Sequence, residues 1–305
     1  MDHLACSPQL RPGEPADAFG LLVPEPFAQR IKPGDPYDPL LRQVLPTELE
    51  TRSVPGFSHD PLQESAQAAT GAILRKYPGR CLVLTTARCA IHCRFCFRRC
   101  RDYRGVLEEP GLLAHGIDLI AKDSSIREVI LSGGDPLVLD TAVLTEFLSE
   151  LARIDHIKRV RIHSRVPIVL PQRVDEQLVN LFTSYRLPLF LVVHTNHPLE
   201  LDDEVARAIR QLVSGGIPVL SQTVLLRGVN DKVEPLVELF ERLLDLRVVP
   251  YYLHQLDRVQ GAAHFEVSVE EGLKLVARLR ESLPGYAVPR YVREVPGLKA
   301  KEILG

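Results

Sequence analysis

The chain has 305 residues, of which 45% are hydrophobic and 25% charged. Those fractions are ordinary for a globular protein, and the length suits one large α/β domain with a small extension. A net charge of −2 creates no global field that would draw in nucleic acid or an acidic membrane. No apolar run of about 18 residues occurs, so no transmembrane helix is expected. The N-terminus, Met1-Asp2-His3-Leu4-Ala5-Cys6, carries early charge, runs into Pro-rich sequence and does not resemble a signal peptide. A cytoplasmic protein with reduced thiols is the expectation.

Eleven of the 24 prolines lie in the first 61 residues. Proline removes backbone donors and breaks helices, so this stretch reads as an irregular arm with two short helices, one of them at Pro39–Val44. A helix from about Gln63 to Lys76 leads into the main domain. From Cys81 onward, short β-branched and aliphatic runs alternate with longer segments of helical period. The predicted strands are Cys81–Thr86, Glu128–Ser132, Arg159–His163, Leu187–His194, Val219–Leu226 and Val248–His254. The predicted helices are Gly111–Lys122, Thr141–Ile154, Asp175–Tyr185, Asp202–Ser214, Lys232–Leu246 and Val269–Leu283. Asp140, Asp202 and Asp231 stand where helix caps are expected, and Gly215-Gly216 ends the fourth helix. A last strand, Ala287–Val292, leads to a short tail.

Six consecutive βα units imply a parallel sheet with right-handed crossovers. They fit an incomplete (β/α)6 barrel, with chemistry at the C-terminal ends of its strands. The expected division is a Pro-rich arm and helix over 1–75, the partial barrel over 76–285, and a C-terminal segment over 286–305.

Four of the six cysteines, Cys89, Cys93, Cys96 and Cys100, fall within twelve residues. In a chain with reduced thiols such clustering points to metal or redox chemistry. Cys89, Cys93 and Cys96 follow the first strand directly. Three thiolates at this spacing bind three irons of a four-iron–four-sulfur (4Fe–4S) cluster and leave the fourth open for a ligand. The alternative is zinc, which usually takes four ligands. It would need His92 or Cys100 as the fourth, and no second Cys-x2-Cys pair exists. Cys81 and Cys100 read as buried or idle thiols.

The Cys-x3-Cys-x2-Cys loop resembles that of the radical S-adenosylmethionine superfamily. Ser132-Gly133-Gly134-Asp135-Pro136, at the end of the second predicted strand, resembles the superfamily's glycine motif for the cofactor's amino end. The resemblance narrows along the chain. The segments 76–80 (KYPGR), 96–99 (CFRR), 162–167 (IHSRVP), 194–198 (HTNHP) and 222–231 (QTVLLRGVND) all look like lysine 2,3-aminomutases. So do 39–45 and 56–62 in the arm, and 250–254 with 259–265 late in the barrel. About nine-tenths of the chain is covered.

The resemblance implies an isomerase that moves the α-amino group of L-lysine to the β-carbon. It implies a 4Fe–4S cluster, S-adenosylmethionine and pyridoxal phosphate. Lys301, in Pro296-Gly297-Leu298-Lys299-Ala300-Lys301, falls where the family's catalytic, cofactor-holding lysine does; Lys299 is the runner-up. Arg80 occupies a phosphate-binding position, Tyr77 an aromatic position by the pyridine ring, and Gln222 a polar position at the cofactor face. His194 matches a residue on the adenosylmethionine side. Arg98 matches the residue that pairs with the substrate α-carboxylate, for which a guanidinium fork is suited. Asp257 and Glu294 match the acids that bind the distal ammonium, Glu294 standing where a shorter Asp is usual. An external electron donor is required, and the resemblance links the product to modification of elongation factor P by a separate ligase. A homo-oligomer is left open.

Two other readings stand beside this one. One is an aminomutase for a different amino acid. The other is a non-catalytic, metal-stabilised binding module for RNA, suggested by Arg98, Arg99, Arg101 and Arg104 beside the cysteines. The net charge and the lack of an aromatic-basic stripe count against nucleic acid.

Overall fold

The computed structural model describes residues 19–70, 72–100 and 112–305. Its framework is one sheet whose strand order follows the chain. β1 (Ala68–Thr70) and β2 (Ile73–Leu74) form an antiparallel ribbon on the edge of β3 (Arg80–Leu84). Next come β4 (Glu128–Ser132), β5 (Arg159–Ser164), β6 (Leu189–His194), β7 (Val219–Val224), β8 (Val249–His254) and β9 (Arg290–Arg293). From β3 to β9 every neighbouring pair is parallel. β10 (Glu302–Ile303) returns antiparallel on β9. The two ends of the sheet, β1 and β10, are not paired, so the barrel is incomplete, as the repeat pattern implies.

The predicted crossover helices are present. After the arm's short α1 (Glu25–Ala28), α2 (Pro39–Arg42) and α3 (Glu64–Gln67) come α4 (Leu112–Lys122) and α5 (Thr141–Ala152). A one-turn α6 (Val166–Val169) precedes α7 (Glu176–Ser184), and then come α8 (Asp203–Ser214), α9 (Val233–Asp245) and α10 (Val269–Ser282). Their apolar stripes have the helical period: Val205, Ile209 and Leu212 in α8, and Leu236, Leu239, Phe240 and Leu243 in α9, are buried against the sheet. Asp202 caps α8 by accepting from the Val205 N–H (2.9 Å), and Gly216 ends it at a φ of 80°. Asp140 sits at the N-cap of α5 without a side-chain cap bond. The N-cap of α9 is Lys232 rather than Asp231.

The predicted helix over Gln63–Lys76 is corrected to one turn followed by the β1–β2 ribbon. Register decides this. Ile73 pairs with Val83 and Leu74 with Leu82, which buries both residues in the core. That tertiary gain overrides the helical preference of the alanines around them. The last strand is also shorter than expected, because a 3-10 turn occupies Gly285–Ala287. Gly111, Arg101 and Arg104, like Cys6, lie outside the described residues.

The arm is part of the barrel. Phe27, Leu40 and Val44 join its core. Arg30 donates to the Ile168 and Glu200 carbonyls (2.9 Å each) and pairs with Asp202 at 2.8 Å. Among the described residues no helix is long and apolar enough to cross a membrane.

Candidate active site

One cavity of about 1380 Å³ opens at the C-terminal ends of the parallel strands. Cys89, Cys93, Cys96, Arg98, Ser132, Gly133, Gly134, Asp135 and His194 line it, as do Tyr77, Arg80, Gln222, Asp257, Glu294 and Lys301. Every residue assigned a cofactor or substrate role from the sequence, except the runner-up Lys299, therefore lines one cavity. Lys299 is exposed.

The cysteine loop follows β3 and is held from the arm. The His92 and Arg94 N–H groups, on either side of Cys93, donate to the Leu22 and Gln43 carbonyls (2.9 Å each). Arg94 and Arg99 both pair with Glu50, which is nearly buried with them. Burial pushes the Cys89 thiol well up, with Cys96, Asp135 and Cys93 adding to it. Burial, then Cys93, pushes Cys96 up to about 11. Cys89 and Cys96, whose thiols resist ionisation, face the same cavity as Cys93, and together the three are a donor set for a strongly cationic group. Among the described residues no three His, Cys, Asp or Glu side chains converge as a single metal ion requires.

Across from the loop, β4 ends in a cradle. Gly133 has a φ of 127°, and a Cβ on Gly134 would collide with the Arg88 carbonyl. The Gly134 N–H donates to Thr86 O (2.6 Å) and the Asp135 N–H to Arg88 O (2.8 Å), binding the cradle to the cysteine loop. Glycine is required here because the two backbones touch. The buried Asp135 carboxylate is turned into the fold. It accepts from Ser164 Oγ (2.7 Å) and from the Leu137 (3.0 Å), Arg165 (2.7 Å) and Val166 (3.1 Å) N–H groups. It thereby ties the ends of β4 and β5 together.

Arg98 is braced from two sides. Its Nε and Nη2 donate to Glu64 (2.9 and 2.7 Å), and Nη1 donates to Ser132 Oγ and Gly133 O (3.3 and 3.2 Å). At the far end, Glu294 is a junction. It pairs with Lys76 at 2.6 Å, with Lys301, and with the Tyr77 hydroxyl. Lys76 and Tyr77 are more than two hundred positions from Glu294 and Lys301, so the curled sheet brings its two edges together here. Burial would raise the Glu294 carboxyl, but Lys301 and Lys76 outweigh it and hold it down to about 2. Asp257 has no such surplus of cations. Burial pushes it up to about 7, with Lys301 opposing. Burial also lowers His163, His194 and His254, His194 to about 3, which leaves three neutral imidazoles on the cavity wall.

Reading by motif missed several of these residues. Gln43, Glu50, Glu64 and Glu200 bear on the cysteine loop or on Arg98 from distant segments. Lys76 and Arg165 stood inside the family-like segments without an assigned role.

The fold and cavity are those of a radical S-adenosylmethionine protein. The superfamily's sequence model matches residues 83–241, just over half of the chain, which belongs to it. Streptococcus suis SuiB bound to S-adenosylmethionine has the same fold at a TM-score of 0.53 and 15% identity, covering 72% of this chain and 51% of its own. Native anSMEcpe with bound AdoMet and a Cp18Cys peptide gives 0.51 and 9%, covering 66% and 58%.

Within that superfamily the chain belongs to the L-lysine 2,3-aminomutases. It is 44% identical to the Escherichia coli L-lysine 2,3-aminomutase over 283 residues, which are 93% of this chain and 82% of that protein. The Haemophilus influenzae protein of the same name is 42% identical, covering 92% and 82%. The Clostridium subterminale one is 39% identical, covering 89% of this chain and 65% of its own length. The superfamily implies a 4Fe–4S cluster and S-adenosylmethionine as cofactors.

Proposed function

We propose that this chain converts L-lysine to β-lysine by a radical 2,3-amino shift. The observation that carries the reading is the shared cavity: three thiols at one end, and Lys301 with Asp257 and Glu294 at the other. The reading rests equally on the named relatives.

Cys89, Cys93 and Cys96 hold the cluster, and the Gly133–Gly134 cradle receives the amino end of adenosylmethionine, with His194 nearby. Lys301 holds pyridoxal phosphate. Arg80 takes its phosphate, while Tyr77 and Gln222 face its ring. The residues fit these groups in donor chemistry: thiols without disulfides, glycine backbone that tolerates close approach, and a half-buried lysine. When bound, the cluster and adenosylmethionine supply one-electron hydrogen abstraction, and pyridoxal phosphate supplies a π-system for the migrating nitrogen.

The chain's own residues orient the substrate. Arg98, braced by Glu64, receives the α-carboxylate. Asp257 and Glu294 receive the distal ammonium, a choice of charge that favours lysine and repels an acidic side chain. The neutral His163, His194 and His254 keep the reacting centre free of competing cations. The described parts of the arm (1–75), barrel (76–285) and C-terminal segment (286–305) act as one unit around the cavity. On the family resemblance, the enzyme works in the cytoplasm with an external electron donor, and its product serves elongation factor P.

The test is anaerobic reconstitution with iron, sulfide, pyridoxal phosphate, adenosylmethionine and dithionite, with L-lysine, L-ornithine and L-glutamate offered separately. β-Lysine from lysine, with little or no product from glutamate, is the expected result. Adenosylmethionine cleavage with no β-amino product from lysine would overturn the substrate assignment.

A further inference from the structure

Arg165 directly follows β5 and is buried at the base of the cysteine loop. Its Nη1 donates to Cys93 Sγ at 2.7 Å. The thiol in this contact stands for the iron-bound thiolate of the loaded protein. Nη2 points the other way, to Gln43 Oε1 (2.6 Å) and Glu200 Oε2 (3.1 Å). Glu200 and Gln43 have no measurable exposure. Glu200 is itself fixed by the Asn196 N–H (3.0 Å), the His197 N–H (3.1 Å) and Gln43 Nε2 (3.0 Å). The guanidinium also lies 5.5 Å from the Phe27 ring centroid and 5.6 Å from that of Phe95.

This is an expensive construction for packing alone. A buried ion pair is weak evidence of stability, because desolvation consumes most of its Coulomb energy. Its worth lies in aim. Glu200 and Gln43 occupy one end of a planar, weakly hydrated cation, two aromatic rings approach it, and its other end is left on a sulfur. The flanks of that sulfur are also locked, since the neighbouring His92 and Arg94 N–H groups are bonded to the arm.

We infer that Arg165 tunes the cluster: its guanidinium, aimed at Cys93 by Gln43 and Glu200, raises the reduction potential of the iron–sulfur group ligated there. Reduction adds an electron whose charge spreads onto the ligating sulfurs, so a charge-assisted donor bond to sulfur is stronger in the reduced state. Outer partners of metal ligands act in this way on potential without touching the metal. The inference deepens the reading in which Cys93 is a cluster ligand, and rests on it.

The test is a potentiometric titration of the reconstituted protein, without adenosylmethionine or pyridoxal phosphate, read by the electron paramagnetic resonance signal of the reduced cluster. In Arg165→Met the reduced-to-oxidised ratio at a fixed potential is expected to fall about tenfold, a midpoint lower by about 59 mV for one electron. Arg165→Lys keeps a cation and is expected to lose less. Glu200→Gln removes the compensating negative charge and is expected to shift the midpoint upward. A general loss of structure would not produce opposite signs within one network. If Arg165→Met does not load iron, the lysine and Glu200→Gln variants decide. Midpoints equal to that of the parent in every loaded variant would overturn the inference. So would unchanged midpoints with weakened adenosylmethionine binding, which would make Arg165 a ligand-carboxylate site instead. Cys93→Ala separates the two levels: if it still assembles the full cluster, the ligand assignment has failed, independently of Arg165.

Discussion

The two ends of the cavity are built in opposite ways. The cysteine end comes from adjacent elements: the loop after β3, the turn after β4 and the first residues after β5, stitched by backbone bonds such as Gly134 N–H to Thr86 O. The lysine end comes from the two edges of the open sheet, where Tyr77 and Lys76 meet Glu294 and Lys301 through side chains. The first end is desolvated, and its Cys89 and Cys96 thiols resist ionisation. The second holds the Glu294 carboxylate paired with two ammonium groups, Lys76 and Lys301, with Asp257 lining the same cavity. Radical generation is best served by fixed backbone and excluded water. Substrate recognition is best served by charges that can exchange one partner for another.

Substitutions at the two ends should therefore fail differently. The largest effect is expected for Lys301→Ala, with turnover down at least about a thousandfold while iron content and adenosylmethionine cleavage persist. Lys299→Ala, at an exposed residue, is expected to stay within about twofold of the parent. Next, Asp257→Asn should lower kcat/KM for lysine by about a hundredfold, since it leaves the distal ammonium half-paired, with little change in iron content.

The same acid sets a pH dependence. Burial raises Asp257 to about 7, so its carboxylate is present above that pH and is lost as pH falls through it. Glu294, held down to about 2, stays charged throughout. Below neutrality kcat/KM for lysine is expected to fall about tenfold per pH unit, and Asp257→Asn should flatten that limb. A limb unchanged in the variant would remove Asp257 from the distal subsite.

The smaller effects lie in the cysteine end's support. Glu50→Gln leaves Arg94 and Arg99 buried without their carboxylate and is expected to cost about 3 kcal/mol in denaturant unfolding. Ser268→Ala removes the cap of α10, where Ser268 Oγ accepts from the Glu271 N–H (3.2 Å), and is expected to cost about 1 kcal/mol without altering turnover.

The same contrast explains what could be read from the chain. Cys89, Cys93 and Cys96 are a contiguous motif that spacing exposes, whereas the Gly133–Gly134 cradle, an ordinary turn by itself, is legible only through the family resemblance. The parallel strands and their helices are legible because each βα unit is a local repeat of period and caps. Lys301 was reached by counting within a family-like segment, and its burial beside Glu294 separates it from Lys299. Glu50, Glu64 and Glu200 carry no local signature, and Gln43, though inside the family-like segment 39–45, has no role assigned there. Each is an ordinary polar residue until the fold sets it against a partner from 34 to 157 positions away. The β1–β2 ribbon was misread for a related reason: its alanines favour helix locally, and only pairing with β3 shows where Ile73 and Leu74 are buried.

On the proposed reading both ends serve one reaction in one cavity. Lysine carrying deuterium on its β-carbon tests it directly, with the adenosyl group recovered from anaerobic turnover and examined by mass spectrometry. Deuterium in the adenosyl group alongside β-lysine, with both absent in Cys93→Ala, is the expected result. β-Lysine formed with no deuterium in the adenosyl group would contradict it.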